Sequence, residues 1–161
     1  MIEIRDIKHG DVKSLIELIK SIYKESDYFT WFDHEPEGEE LNYMFSRKIA
    51  MILEGNAVAI VAVDDGTAIG ECEIIKDGDE GKIGIVVNSS HRRMHIGSDL
   101  LERGEKEAAT IGIGAIVAEV DKRNSAALDF FEKRGFEENS NDTILKDGHE
   151  IVVLKKRISG K

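Results

Sequence analysis

The chain has 161 residues, 41% of them hydrophobic and 34% charged: one ordinary domain with a single core, too apolar for a disordered chain and lacking the roughly 18-residue apolar run of a membrane-spanning helix. Lys and Arg number 22 against 32 Asp and Glu, a formal net charge of −10, and such a surface repels polyphosphate chains, which argues against a nucleic-acid partner. The single cysteine, Cys72, excludes an internal disulfide or a Cys-Cys metal pair, and no metal is expected.

Ile2 and Ile4 alternate as in a strand, with no basic segment followed by an apolar one, so the expectation is a cytoplasmic protein without a signal peptide or membrane anchor. After Gly10-Asp11, Val12, Leu15, Ile16, Leu18, Ile19, Ile22 and Tyr23 recur at helical spacing. Residues 27–40 combine aromatics with acids and read as a loop into a second helix, carried by Leu41, Met44, Phe45, Ile49, Ile52 and Leu53 and ended by Gly55-Asn56. Apolar runs at 57–63 and 68–75 flank Asp64-Asp65-Gly66, a hairpin signal, and a third strand at 82–87 follows the turn at 77–81. A polar, basic stretch at 88–97 leads into a helix reaching Gly112, then a strand at 115–120 and a helix at 125–134 that Asn124 can cap and Gly135 stops. A final hairpin turns around 146–149 into a strand at 151–154. The order is β-α-α-β-β-β-α-β-α-β-β, an α+β chain whose residues 1–161 form one domain.

Chemistry concentrates where the third strand of the meander meets a helix through Asn88-Ser89-Ser90-His91-Arg92-Arg93-Met94-His95-Ile96-Gly97-Ser98. A helix N-terminus presents unpaired amide protons and the positive end of the macrodipole, so with Arg92, Arg93 and His95 beside it this is an anion cradle. The same residues also suit a solvated helix-capping turn. Neither Gly-x-x-x-x-Gly-Lys nor Gly-x-Gly-x-x-Gly is present.

Arg92-x-x-His95-x-Gly97, preceded by Ile83-Gly84-Ile85-Val86-Val87 and followed by Leu100-Leu101, resembles the pyrophosphate loop of the GNAT N-acetyltransferases, usually Gln/Arg-x-x-Gly-x-Gly/Ala. Asn124-x-x-Ala127, the aromatic pair Phe130-Phe131 and Gly135-Phe136 resemble that family's second signature, and the likeness spans nearly the whole chain. It implies the GNAT acyl-CoA N-acyltransferase fold, a mixed, mostly antiparallel sheet flanked by helices, with acetyl-CoA held where the strand ending at Val87 splays from the strand at 115–120. Backbone groups of Ile85, Val86 and Val87 are then expected to pair with the pantetheine arm, one amide near Val86 or Val87 polarising the thioester carbonyl. Arg92, Arg93, Met94, His95, Ile96, Gly97 and Ser98 are expected at the pyrophosphate, and Asn124, Ala127 and Phe131 complete the cofactor set. Four residues depart from the pattern: His95 stands at the first loop glycine, Arg93 where a glycine is common, Phe131 where a tyrosine commonly protonates the departing thiolate, and Lys82 near the usual glutamate base.

An attacking amine must be neutral, so a base is needed. Glu71 and Glu73 share a strand face by the two-residue period, Glu119 lies near the splay, and His34 and His149 sit in loops; for each, an exposed sheet or loop residue is the more usual reading. Tyr28, Trp31, Phe32, Asp33 and His34 are the acceptor-site candidates, because acids beside aromatics suit a cationic amine, although Trp31 and Phe32 also suit a core. The expected reaction is acetyl transfer from acetyl-CoA to a small-molecule or peptidyl amine by direct attack. The alternative is a non-catalytic acyl-CoA-binding module of the same fold. An exposed sheet edge can support a homodimer.

Overall fold

The computed structural model describes residues 1–29, 31–92, 94–139 and 144–158. Within them the chain runs β1 (Ile2–Asp6), α1 (Val12–Glu25), α2 (Gly38–Leu53), β2 (Ala57–Asp64), β3 (Thr67–Asp77), β4 (Glu80–Val87), α3 (Ile96–Thr110), β5 (Ala115–Asp121), α4 (Ser125–Lys133), β6 (Glu137–Glu138), β7 (Ile144–Lys146) and β8 (His149–Arg157). This is the expected order with one addition, β6. Two residues are too few to show an alternating pattern, and the strand exists because β8 offers Leu154 and Lys155 as pairing partners.

The sheet order is β1-β2-β3-β4-β5-β8-β6, with β7 also on β8. Every pairing is antiparallel except β4 with β5. Asp65 and Gly66 both have positive φ (49° and 84°), as do Asp147 and Gly148 (50° and 78°); this is the geometry of tight hairpin turns, whose twist matches that of the flanking strands.

Where a single core was expected, alternation along the strands sends their side chains to two, one on each face of the sheet. On one face Cys72 and Ile74 of β3, Ile83 of β4 and Ile116, Ala118 and Val120 of β5 pack with Leu100, Leu101 and Ala108 of α3 and with Phe131 of α4. On the other, Val61 and Val63 of β2 and Val86 of β4 meet Leu15, Leu18, Ile19 and Ile22 of α1 and Leu41 and Phe45 of α2. Glu71 and Glu73 of β3, Lys82 and Gly84 of β4 and Glu119 of β5 therefore face the α1/α2 side.

The parallel pairing is short. Glu80 to Ile83 of β4 match Ala115 to Ala118 of β5; beyond that, Gly84 to Val87 pair with β3 alone and Glu119 to Asp121 with β8 alone. The sheet opens between the ends of β4 and β5, and both strands lead through short connections into helices that start at this opening.

Cys72 lies sealed beneath α3, and burial pushes its thiol well above the usual range. A disulfide reagent such as Ellman's is therefore expected to leave the folded chain unlabelled and to titrate one thiol after denaturation; rapid labelling of the native protein would contradict this packing.

Candidate active site

The opening forms a cleft of about 970 Å³. Its β4 wall is an unpaired strand edge: the Asn88 N–H donates to Ile69 O on β3 at 2.7 Å, so by alternation the N–H and C=O groups of Val87 and Ile85 turn the other way, into the gap, whereas those of Val86, expected there from the sequence, turn to β3 opposite Glu71. Ile85, Val86 and Val87 all line it.

At the mouth stands the N-terminus of α3. Asn88 folds the approach by accepting hydrogen bonds from Ser90 N and Oγ at 2.9 and 2.7 Å, and His91 ties the loop to the β2–β3 hairpin through Asp64, 3.3 Å away. His95 precedes the helix in the left-handed region, with φ 61°, the conformation for which glycine is the usual residue. The first N–H groups of α3 lack intrahelical acceptors, and Arg92, His95, Ile96, Gly97 and Ser98 line the cleft around them. Among the described residues Arg92 has no acidic partner, leaving its charge available. Met94 is exposed and stands off the cleft; Arg93 lies outside the described residues.

Helix α4 supplies the opposite wall. Asn124 caps it, Oδ1 accepting the Ala127 N–H at 3.1 Å, and Asn124, Ala127 and Phe131 all line the cleft. The Phe131 ring packs edge-on against Phe130 and Phe136 and has no proton to give.

The α1/α2 side carries the charged groups. Lys48 of α2 is buried and bridges two carboxylates, with Nζ 2.7 Å from Glu71 Oε2 and 3.0 Å from Glu73 Oε1. Burial opposes its charge, but the two carboxylates hold it above the ordinary lysine value. Glu71 is fully buried, and burial lifts its carboxyl against the pull of Lys48; its Oε1 has no hydrogen-bond partner among the described residues. Glu73 is the carboxylate that reaches the cleft, whereas Glu71 is fully buried and does not line it. Beside them the Trp31 indole lies over Gly84, where a Cβ would fall 2.4 Å from Cζ2. Across the opening, Glu119 Oε1 takes Lys82 at 2.8 Å and Lys146 at 3.0 Å. Burial pushes that carboxyl up, but the hydrogen bonds from the two lysines bring it below its usual value.

Of the aromatic and acidic loop, Tyr28 and Trp31 line the cleft, whereas Phe32, Asp33 and His34 stand outside it. His34 is held between Asp33 at 2.6 Å and Glu40 at 2.9 Å, and these carboxylates raise its pKa. His149 is also off the cleft. Sequence reasoning missed Lys48, Lys146 and Arg123, whose guanidinium lies 5.0 Å from the Tyr28 ring centre and pairs with Asp121 at 2.8 Å. Lys48 alone left a signal: a lysine on the apolar stripe of an amphipathic helix, three residues after Phe45. Among the described residues no cluster suited to a metal ion is present, and no helix is long and apolar enough to cross a membrane.

The family model described as Acetyltransferase (GNAT) family matches residues 17–136. No curated protein matches. Among solved structures the fold is similar to an N-acetyltransferase from Staphylococcus aureus Mu50 (TM-score 0.85, 18% identity, 99% of each chain covered). It is also similar to a putative acetyltransferase from Salmonella typhimurium solved with its cofactor acetyl-CoA (0.83, 17%, 100% of this chain and 96% of that one). A third is the PaiA N-acetyltransferase from Thermoplasma acidophilum in complex with coenzyme A (0.75, 21%, 98% and 99%).

Replacing Lys48 by Met leaves Glu71 buried without its counter-ion and is expected to cost about 3–5 kcal/mol of stability at neutral pH. A buried carboxyl whose folded pKa lies above its unfolded one loses that penalty on protonation. The gap in Tm between Lys48→Met and wild type should therefore narrow from about pH 7.5 to about pH 5; a gap independent of pH would show that Lys48 does not neutralise Glu71.

Proposed function

Because this chain belongs to the GNAT acetyltransferase family, we propose that it is an acetyl-CoA-dependent N-acetyltransferase that acetylates a primary amine by direct attack in the cleft between β4 and β5. The observation that carries this reading is the opening of that strand pair beyond Ile83 and Ala118, with an anion-binding helix start at its mouth. It fits acetyl-CoA on both counts. The free edge at Ile85 and Val87 suits the amides of a pantetheine arm, which adds as a further strand, while Arg92, His95 and the α3 amides suit a pyrophosphate.

Acetyl-CoA supplies the acetyl group as a thioester. An N–H of Val87 or Ile85 directed into the gap donates to the acyl oxygen as negative charge grows on it, and one such donor is typically worth ~3 kcal/mol. A lysine-like amine, with a pKa of about 10.4, arrives protonated. Glu73 is the base we assign: its carboxylate lines the cleft, and the ion pair with Lys48 fixes its orientation. Glu119, held by two lysines, is engaged as their counter-ion. Phe131 cannot protonate the leaving sulfur, and a thiol of pKa about 8.5 can depart as thiolate without help.

Calorimetric titration with acetyl-CoA tests the cradle. One-site binding is expected, weakened about tenfold by Arg92→Ala and at least as much when pantetheine replaces the full cofactor; equal affinity for pantetheine would remove the pyrophosphate site. Release of free thiol from acetyl-CoA over an amine panel then separates an enzyme from a binding module, which would bind without turnover. With the acid restored, Phe131→Tyr is expected to raise kcat about tenfold. An unchanged kcat would show that protonation of the thiolate does not limit the reaction.

A further inference from the structure

Two clusters of opposite sign face each other across β4 on the acceptor side of the cleft. Lys48, Glu71 and Glu73 combine one positive and two negative charges, a net −1, and Glu73 brings that excess to the cleft wall. Lys82, Lys146 and Glu119 combine two positive charges and one negative, a net +1; both lysines meet the same oxygen of Glu119, and all three residues line the cleft. An ammonium carries three donors, so each lysine keeps donors beyond the one given to Glu119. Lys82 and Lys146 are half-exposed to the cleft side, while Lys48 is buried. Glu73 lies on β3 and Glu119 on β5, the strands flanking β4, so the two poles stand roughly 10 Å apart at ordinary strand spacing. Between and beside them the lining is apolar, with Trp31, Met44 and Ile75.

We propose that the acceptor is a small zwitterion of the amino-acid type, its ammonium at Glu73, its carboxylate at Lys82 and Lys146, and its apolar remainder against Trp31, Met44 and Ile75. The inference rests on the acetyltransferase reading and on Glu73 as base, and it narrows the acceptor within that reading. A group that accepts from two ammonium ions and one that donates to a carboxylate, set a few bonds apart, span this distance. A polyamine brings a second cation to the lysine pair, and a lysine side chain or peptide N-terminus brings no anion there; both leave the net +1 unmatched. The bond made is amine nitrogen to acetyl carbon and the bond broken is carbon to sulfur; the ammonium gives up two protons, one through Glu73 to solvent before attack and one to Glu73 after the carbon–nitrogen bond forms, and CoA leaves as thiolate.

The test is thiol release from acetyl-CoA with matched acceptors: leucine, methionine and phenylalanine, each beside its amide and its decarboxylated amine, together with spermidine and a lysyl peptide. The amides carry the less basic amine and so offer more free base at neutral pH; a preference for the acids opposes that intrinsic trend. The free amino acids are expected to exceed both analogues by at least about tenfold in kcat/KM, and Lys146→Gln or Lys82→Gln to collapse that ratio. If the decarboxylated amines, spermidine or the peptide are turned over as well or better, the proposal falls while acetyl transfer stands. If acetyl-CoA binds and no acceptor is acetylated, both readings fall. Should either lysine variant fail to fold, the wild-type panel alone decides.

Discussion

The site depends on two parallel strands that pair for four residues and then part. A strand edge inside a sheet satisfies its backbone groups on both sides, and an edge left open must find another partner. Beyond Ile83 the β4 edge faces a cleft that water or a ligand can enter, so Ile85 and Val87 offer a hydrogen-bonding ladder for an extended chain of amides. The topology adds the second half of the site at no further cost. Both strands run the same way and each leads into a helix, so the starts of α3 and α4 arrive at one mouth, where parallel strands commonly place ligands outside their carboxyl ends. Arg92, His95 and Asn124 are brought together by connectivity, although more than thirty residues separate the first from the last.

The α1/α2 face is ordered by charge buried under α2. Lys48 sits 4.4 Å from the Phe45 ring centre and within ion-pair distance of two carboxylates. Taking such a group out of water costs several kcal/mol for each ion, and the attraction between them only offsets it. The triad is thus a poor source of stability, and the orphaned Oε1 of Glu71 adds to its cost. Its useful effect is geometric. Lys48 locks Glu73 at the cleft wall in one orientation, a side chain that on an isolated strand would sample several rotamers, and pre-set orientation is what the base proposed here needs before an amine arrives.

Much of this was readable from residue order. The meander followed from Asp-Gly turns that demand positive φ, the cradle from a basic stretch opening a helix, and the α4 cap from Asn124. What was not readable depended on partners distant in sequence. Glu71 and Glu73 share a face by periodicity, yet only Glu73 reaches the cleft, and both are tied to Lys48, 23 residues upstream of Glu71. Lys146 reaches Glu119 from a hairpin 27 residues further on. Within the loop after α1 no period exists, and nothing local separates Tyr28 and Trp31, which line the cleft, from Phe32 and His34, which do not. Trp31 is selected by Gly84, the position on β4 with room for an indole.

The departures from the family pattern compensate one another once the strands are seen together. A non-glycine residue at φ 61° costs roughly 1–2 kcal/mol, and histidine is among the residue types that adopt this region more readily than most; in return an imidazole stands at the mouth of the cleft, beside the proposed pyrophosphate site. Lys82 lies near the place where the family resemblance leads one to expect a glutamate, and a lysine there, alone, would repel an incoming ammonium. Glu119 on the neighbouring strand cancels part of that charge. Meanwhile Glu73, on β3 directly opposite Gly84 and two positions along β4 from Lys82, restores a carboxylate to the same face. Glu73 on β3 and the two lysines at Glu119 thus put charges of both signs on this face of the sheet. In the proposed reaction an amine approaching the opening is drawn toward β3, and the lysine pair beside β5 is left facing whatever else the acceptor carries.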